Sequence, residues 1–427
     1  MRDPERDEAM TANSRRRVVV TGMGALTPLG NDLERFWAGA VAGRSGLGRL
    51  TLVDPTDYPC QVGGEVRDFD PTEFMDRKVA RRMARFSQFA VATAQQALAQ
   101  AGLDLDAVDR TRVGVLIGNG GGGFPNTDEA MRTIIARGGM RVDPLYMAKM
   151  LPNMAAANTT IQFGLLGYTN TVTTACAAGT QAIGDAVEVI RRGAADVMVA
   201  GGTEAGICEL GLAGFSSMRA LTTSWNDEPE RSSRPFDRRR DGFAPAEGAG
   251  MLLLEALDHA LARGATPIAE MVGYGVSADA AYLVAPADAG EGAARAMQSA
   301  LDDAGVGPEE IDYVSAHATA TEVGDIAETR ALKAVFGARA YDIPISAMKS
   351  QIGHLLGGSG GVEAVAAIQT IVTGQIAPTL NLEEPGAECD LDYVPDAGRT
   401  ADVRTLIKNS FGFGGQNAVL IIRRFEP

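Results

Sequence analysis

Three motifs in this chain carry side chains able to do chemistry: Cys176 in TTACAAGTQAIGDAVEVIRRG, His317 in AHATAT and His354 in KSQIGHLLGG. The chain has 427 residues and only three histidines, so two of them in loop-like motifs is informative. Before Cys176, TNTVTT reads as a strand. After it, Ile183, Ala186, Val187 and Ile190 recur at helical spacing. A thiol at such a junction faces backbone N–H groups and the positive end of a helix dipole. That setting predicts a pKa below ~8.5 and a thiolate nucleophile at neutral pH.

The elements that must position these residues repeat. AVATAQQALAQAGLDLDAVDRTRVGVLIGNG and GAARAMQSALDDAGVGPEEIDYVSAHATAT each read as an Ala-rich helix, an Ala-Gly stop and a Val-Asp or Ile-Asp entry to a strand. A weaker echo pairs the helix after Cys176, ending at Gly193, with one ending at Gly374. The two offsets differ, and the segment Gly123 to Pro152 is the place for the extra residues of the first half. Strands such as VGVLIG, VMVAGG and MLLLE complete a duplicated, layered α/β pattern. The division predicts a disordered leader over 1–16, a first half over 17–265 with the cysteine and a second half over 266–427 with both histidines. A site formed where the halves meet would join them.

Composition sets the outer limits. The chain is 45% hydrophobic and 22% charged, with no apolar run of the ~20 residues a membrane helix needs. The charged N-terminus has no apolar stretch of the signal-peptide kind. Four cysteines without close spacing argue against a disulfide framework or a zinc site and fit a reducing cytoplasm. A net charge of −15 disfavours nucleic acid as a partner. One local exception is basic: Arg77, Lys78, Arg81, Arg82 and Arg85 fall within nine residues. GNGGGG at 118–123 is not followed by Lys-Ser/Thr and is rejected as a phosphate loop. His259 reads as a surface residue near a helix C-terminus, and Cys60, Cys208 and Cys389 as buried structural thiols.

With TACAAG, SRPFDRRRDGF, EGAGMLLLE, KSQIGHLLGGSGGVE, PTLNLEEP and NSFGFGGQN in order, the chain resembles the elongating β-ketoacyl-acyl-carrier-protein synthases (synthase I/II). The likeness runs from VVVTGMGALTPLG to SFGFGGQNAVLII. It implies the thiolase fold, a five-layered α-β-α-β-α arrangement of two duplicated halves, and a homodimer. It implies a cytoplasmic acyltransferase of fatty acid elongation: acyl transfer to Cys176, then decarboxylative condensation with malonyl-acyl-carrier protein to give a 3-oxoacyl product. The partners would be acyl carrier protein and its acyl and malonyl thioesters. No metal or cofactor is implied, because phosphopantetheine arrives on the carrier.

Roles follow from the same resemblance. The N–H groups of Cys176 and Phe413 would form one oxyanion hole, and the imidazoles of His317 and His354 a second at the enolate. Lys349 and Glu363 would support His317, and Thr319 and Thr321 would bind the pantetheine arm. Phe413 would gate the acyl pocket, which Phe215 would line. Gly121 stands where relatives carry a bulky aliphatic side chain, so it is expected to open volume at the pocket base. Lys78, Arg81 and Arg82, on one helix, and Arg219 would dock the acidic carrier.

Some positions depart from the family pattern. Ser315, Ala318 and Ala320 differ from NAHGTGT or NAHGTST, and Tyr282 and Val284 replace a His and a Thr near the pantetheine channel. Competing classes are weaker: a chain-length partner lacks the cysteine, an initiating synthase has Asn for the second histidine, and a thiolase uses a different cysteine pair. A ketosynthase of a type II polyketide pathway shares every catalytic residue and stands as the alternative.

Overall fold

A computed structural model gives the arrangement of residues 15–426. Positions 1–14 of the expected leader lie outside the described residues. Arg16 is already tied to the body of the protein, through Asp196 at 2.8 Å and Asp258 at 2.9 Å.

Among the described residues, each half contributes five strands to the large central sheet system. In the first these are β1 (Val18–Leu26), β2 (Val113–Gly118), β3 (Thr169–Val172), β4 (Val197–Glu204) and β5 (Gly248–Ala256). In the second they are β6 (Ala269–Ala278), β7 (Tyr313–Ser315), β8 (Ile345–Ser346), β9 (Thr405–Gly412) and β10 (Gln416–Arg424). The order β3-β2-β4-β5-β1 in one sheet is repeated as β8-β7-β9-β10-β6 in the other. Orientation repeats too: the first three strands in each order are parallel and the last two antiparallel to their neighbours. The sheets touch edge to edge only where Val19 and Val20 of β1 meet Glu270 and Ala269 of β6.

Helices α1 (Arg85–Ala101), α2 (Phe124–Arg137), α3 (Ala178–Arg191), α4 (Glu291–Ala304), α5 (Glu322–Phe336) and α6 (Ser359–Thr373) complete the layers. Nearly all of α6 and most of α3 are buried, because both run between the two sheets. Helix α1 covers the first sheet from outside, and α4 covers the second. This is the five-layered thiolase arrangement that the resemblance implied.

The duplication reaches single residues. Helices α1 and α4 both stop at a glycine in the left-handed region, Gly102 at φ 59° and Gly305 at φ 64°. Gly22 and Gly24 of β1 let α1 lie directly on the sheet, since a Cβ there would sit 2.1 Å from the carbonyls of Ala97 and Thr93. Gly273 and Gly275 of β6 do the same for α4, at 2.3 and 2.2 Å from the carbonyls of Ala300 and Ala296. The first half's extra segment forms α2 and two short turns. It carries exposed Met131, Ile134, Ile135, Met140 and Met147, an apolar face that none of the described residues covers.

Overpacking a close helix–sheet contact costs about 1–3 kcal/mol. Gly24→Ala and Gly275→Ala should therefore each lower the urea midpoint. Gly214→Ala, in a helix with open space around it, should leave the midpoint unchanged or raise it. Equal midpoints for all three would contradict the close approach.

Candidate active site

Six parallel strands set the site. The loops after β2 and β3 of the first sheet and β7, β8 and β9 of the second converge with the end of β4. Helix α3 begins two residues after Cys176 and α6 five residues after His354, so both central helices aim their N-termini at the same place. Cys176 lies in a tight 3-10 turn between β3 and α3, after Ala175 at φ 49°. A cavity of about 580 Å³ opens here. Cys176, His317, His354, Thr319, Thr321, Phe413 and Arg219 all line it.

His354 Nε2 lies 3.1 Å from Cys176 Sγ, and the two imidazole centroids are 5.6 Å apart. The hydrogen bonds fix both tautomers. On His317, Nδ1 is 3.3 Å from Lys349 Nζ. An ammonium only donates, so Nδ1 accepts and the proton sits on Nε2. On His354, the Leu356 N–H donates to Nδ1 at 3.2 Å, which makes Nδ1 an acceptor, so the Ser359 hydroxyl 3.0 Å away donates to it as well. Its Nε2 therefore carries the proton toward Sγ. Burial first, then Lys349, holds both imidazoles well below the usual histidine pKa. They are neutral N–H donors at neutral pH.

Lys349 is itself buried. It donates to the His317 carbonyl at 2.6 Å and pairs with Glu363, whose other oxygen meets Lys408 Nζ at 2.9 Å. Burial lowers Lys408 to about 8, against the raising effect of Glu363. Glu328 accepts from the N–H groups of His317 at 2.9 Å and Ala318 at 2.7 Å. Asp325 accepts from the Ala320 N–H at 3.1 Å. Ala318 and Ala320 adopt φ 37° and 63°, the region that favours glycine, so these two carboxylates hold a strained backbone around His317. Thr319 and Thr321 hydroxyls lie 3.0 Å apart, and Thr321 caps α5. The Phe413 loop is tied to the segment with Tyr282 and Val284 through Gly414 N–H to the Leu283 carbonyl at 2.8 Å.

Several expectations need correction. The Cys176 thiol is not acidified in the free protein: burial pushes it up to about 11, outweighing Lys349 and the Phe413 N–H directed at Sγ. Gly121 does not leave open volume, because a Cβ there would lie 2.8 Å from the Phe124 ring, which fills the space. Neither Gly121 nor Phe215 lines the cavity. Phe215 packs on Phe243 at 5.4 Å, and Phe243 packs on His354 at 5.1 Å. Lys78, Arg81 and Arg82 are exposed but do not share one helix, since the short helix stops at Ala80 and Arg81 caps it. Arg85 leaves the basic cluster to pair with buried Glu247 at 2.7 Å. His259 is held by Glu255 at 2.8 Å.

Sequence reasoning missed Glu328, Asp325, Lys408 and Ser359. TEVGDIAETR did place two acids on one helix face next to His317, which was a readable signal. Nothing local announced Lys408.

Residues 15–260 match the family model described as beta-ketoacyl synthase, N-terminal domain, and residues 268–383 match its C-terminal domain. A 3-oxoacyl-(acyl-carrier-protein) synthase 2 of Synechocystis is 48% identical, over 96% of this chain and 99% of the relative. One from Staphylococcus aureus is 44% identical, again over 96% and 99%. Among solved structures, the ishigamide ketosynthase/chain length factor superimposes with a TM-score of 0.91 at 37% identity, covering 97% of this chain and all of that one. A beta-ketoacyl synthase from Burkholderia phymatum gives 0.89 at 38%, with 96% and 100% covered.

The raised thiol has a measurable consequence. Alkylation of Cys176 by iodoacetamide should rise with pH toward a midpoint above the ~8.5 of a free cysteine. Lys349→Met should move it higher still, because the ammonium lowers the thiol pKa. A midpoint below neutrality would refute this electrostatic picture.

Proposed function

The chain belongs to the β-ketoacyl synthase family, and on that premise we propose how its residues carry out the reaction. It is a 3-oxoacyl-acyl-carrier-protein synthase of fatty acid elongation, an acyltransferase. In the first step Cys176 Sγ attacks the acyl thioester carbonyl at the end of a pantetheine arm threaded past Thr319 and Thr321. The N–H groups of Cys176 and Phe413 receive the oxyanion. The proton leaving Cys176 ends on the departing pantetheine sulfur.

In the second step a malonyl thioester takes the place of the first carrier arm. Its carbonyl oxygen accepts from the Nε2–H groups of His317 and His354. Loss of CO₂ leaves an enolate on that oxygen, and the enolate carbon attacks the acyl-Cys176 carbonyl. The tetrahedral adduct collapses to the 3-oxoacyl carrier product, and the Cys176 thiolate regains a proton. Neutral imidazoles suit this role, since they donate to the enolate without protonating its carbon. The observation that carries the reading is His354 Nε2 at 3.1 Å from Sγ, with His317 beside it in one cavity.

The polyketide alternative is the weaker one. Identity to the fatty acid enzymes named above is 44–48%, against 33% for the ketosynthase of the AntDE:AntF complex, solved with a type II polyketide acyl-carrier protein. That carrier complex supports acyl carrier protein as the partner here, met in the cytoplasm, with Arg219 at the cavity mouth and Lys78, Arg81 and Arg82 as docking cations. The uncovered apolar face of the α2 segment suits a second copy of the chain.

Two substitutions test the reading. Cys176→Ser should fold normally and lose acyl transfer, because a hydroxyl cannot replace the thiolate; more than a few per cent residual condensation would refute it. Arg82→Glu should raise the KM for acyl-carrier protein, more so at low salt, and spare small thioester mimics. Equal loss on both substrates would contradict the docking role.

A further inference from the structure

We propose that Glu204 is a positioning residue for this reaction, tying the loop at 119–122 to the turn that follows His354. The proposal rests on the ketosynthase reading above and adds a residue to it. Glu204 ends β4 and is fully buried. Its Oε2 accepts from the Gly120 N–H at 2.7 Å and from the Gly357 N–H at 3.1 Å. Its Oε1 accepts from the Gly121 N–H at 3.1 Å and Asn119 Nδ2 at 3.4 Å. One oxygen thus bridges the two halves of the molecule.

Both ends of the bridge touch the chemistry. Gly120 lies against the turn that presents the nucleophile, a Cβ on it being 3.8 Å from the Ala175 carbonyl. Gly357 sits between Leu356 and Ser359, the two residues that orient His354 Nδ1. Leu356 adopts φ 48°. Such a backbone persists only when something outside it holds it, and the next peptide N–H is the one Glu204 captures.

The carboxylate is also an unusual choice of clamp. Among the described residues no Lys, Arg or His pairs with it, and its four donors are all neutral N–H groups. Burial raises its pKa to about 7 against those hydrogen bonds. Burying such a charge is costly, yet only a carboxylate offers an acceptor oxygen to both pairs of donors, since an amide would turn an NH2 toward one pair. The charge bears on the nucleophile in turn: Glu204 raises the Cys176 thiol pKa where Lys349 lowers it. Glu204 therefore opposes thiolate formation while fixing the geometry that thiolate needs.

The test pairs Glu204→Gln with Gly120→Ala. The first removes the charge and the Oε1 contacts; the second keeps the charge but places a Cβ 2.7 Å from Oε2, forcing the carboxylate aside. Misplacing catalytic groups should lower the condensation kcat about 10-fold or more in both, with the KM for acyl-carrier protein nearly unchanged. Iodoacetamide alkylation of Cys176 should shift to lower pH in Glu204→Gln alone, giving a more reactive thiol on a slower enzyme. Wild-type kcat in both variants, or an unmoved alkylation profile in Glu204→Gln, would overturn the proposal. If Glu204→Gln does not fold, Gly120→Ala decides through its kcat. Wild-type protein that fails to condense would overturn the ketosynthase reading itself, whereas active wild type with unaltered variants overturns only the role of Glu204.

Discussion

The contact between the Lys349 ammonium and His317 Nδ1 is the interaction on which the site depends. It makes Nδ1 an acceptor, so the proton of His317 must face the cavity. Its positive charge disfavours imidazolium at both His317 and His354. The same charge favours a thiolate at Cys176. Burial is the larger cause of the two neutral imidazoles, and this one buried cation reinforces it while easing thiolate formation. A buried ammonium is unfavourable unless paired, and Glu363 of α6, shared with Lys408 of β9, provides the pairing.

That requirement ties electrostatics to architecture. Lys349 follows β8, Glu363 lies on a central helix and Lys408 on β9, whereas Cys176 stands at the head of the other central helix. No single half of the molecule holds the whole set. Two sheets with their parallel strands ending at one place, and two central helices with their N-termini aimed there, are what bring the parts within hydrogen-bond reach. Glycines at matched positions of β1 and β6 keep each outer helix tight against its sheet, which fixes the layer spacing from outside.

Much of this was legible in the sequence, though unevenly. Duplication showed in the helix–glycine–strand pattern, and Gly102 and Gly305 do cap equivalent helices. Cys176, His317 and His354 stood out by rarity and setting, and the fold brings them to one cavity. The electrostatics did not follow from local pattern. A helix N-terminus suggested an acidic thiol, but desolvation, invisible in a linear sequence, prevails and raises it. Gly121 suggested an opening, yet Phe124, three residues on, turns its ring into the gap. Arg85 sat in a basic run but is drawn inward by Glu247, more than 160 residues away. Glu204 accepts from Gly357 of the second half and Lys408 donates to Thr180 of the first, contacts on which spacing along one strand carries no information.

The claim that two neutral imidazoles face the cysteine through Nε2–H is open to direct measurement. With only three histidines in the chain, nitrogen-15 NMR of the histidine-labelled enzyme can resolve each ring as pH is lowered. The account predicts that His317 and His354 both show the Nε2–H tautomer at neutral pH and stay neutral well below the ordinary histidine pKa of about 6.5. Either ring found as imidazolium at neutral pH, or protonated on Nδ1 instead, would contradict it.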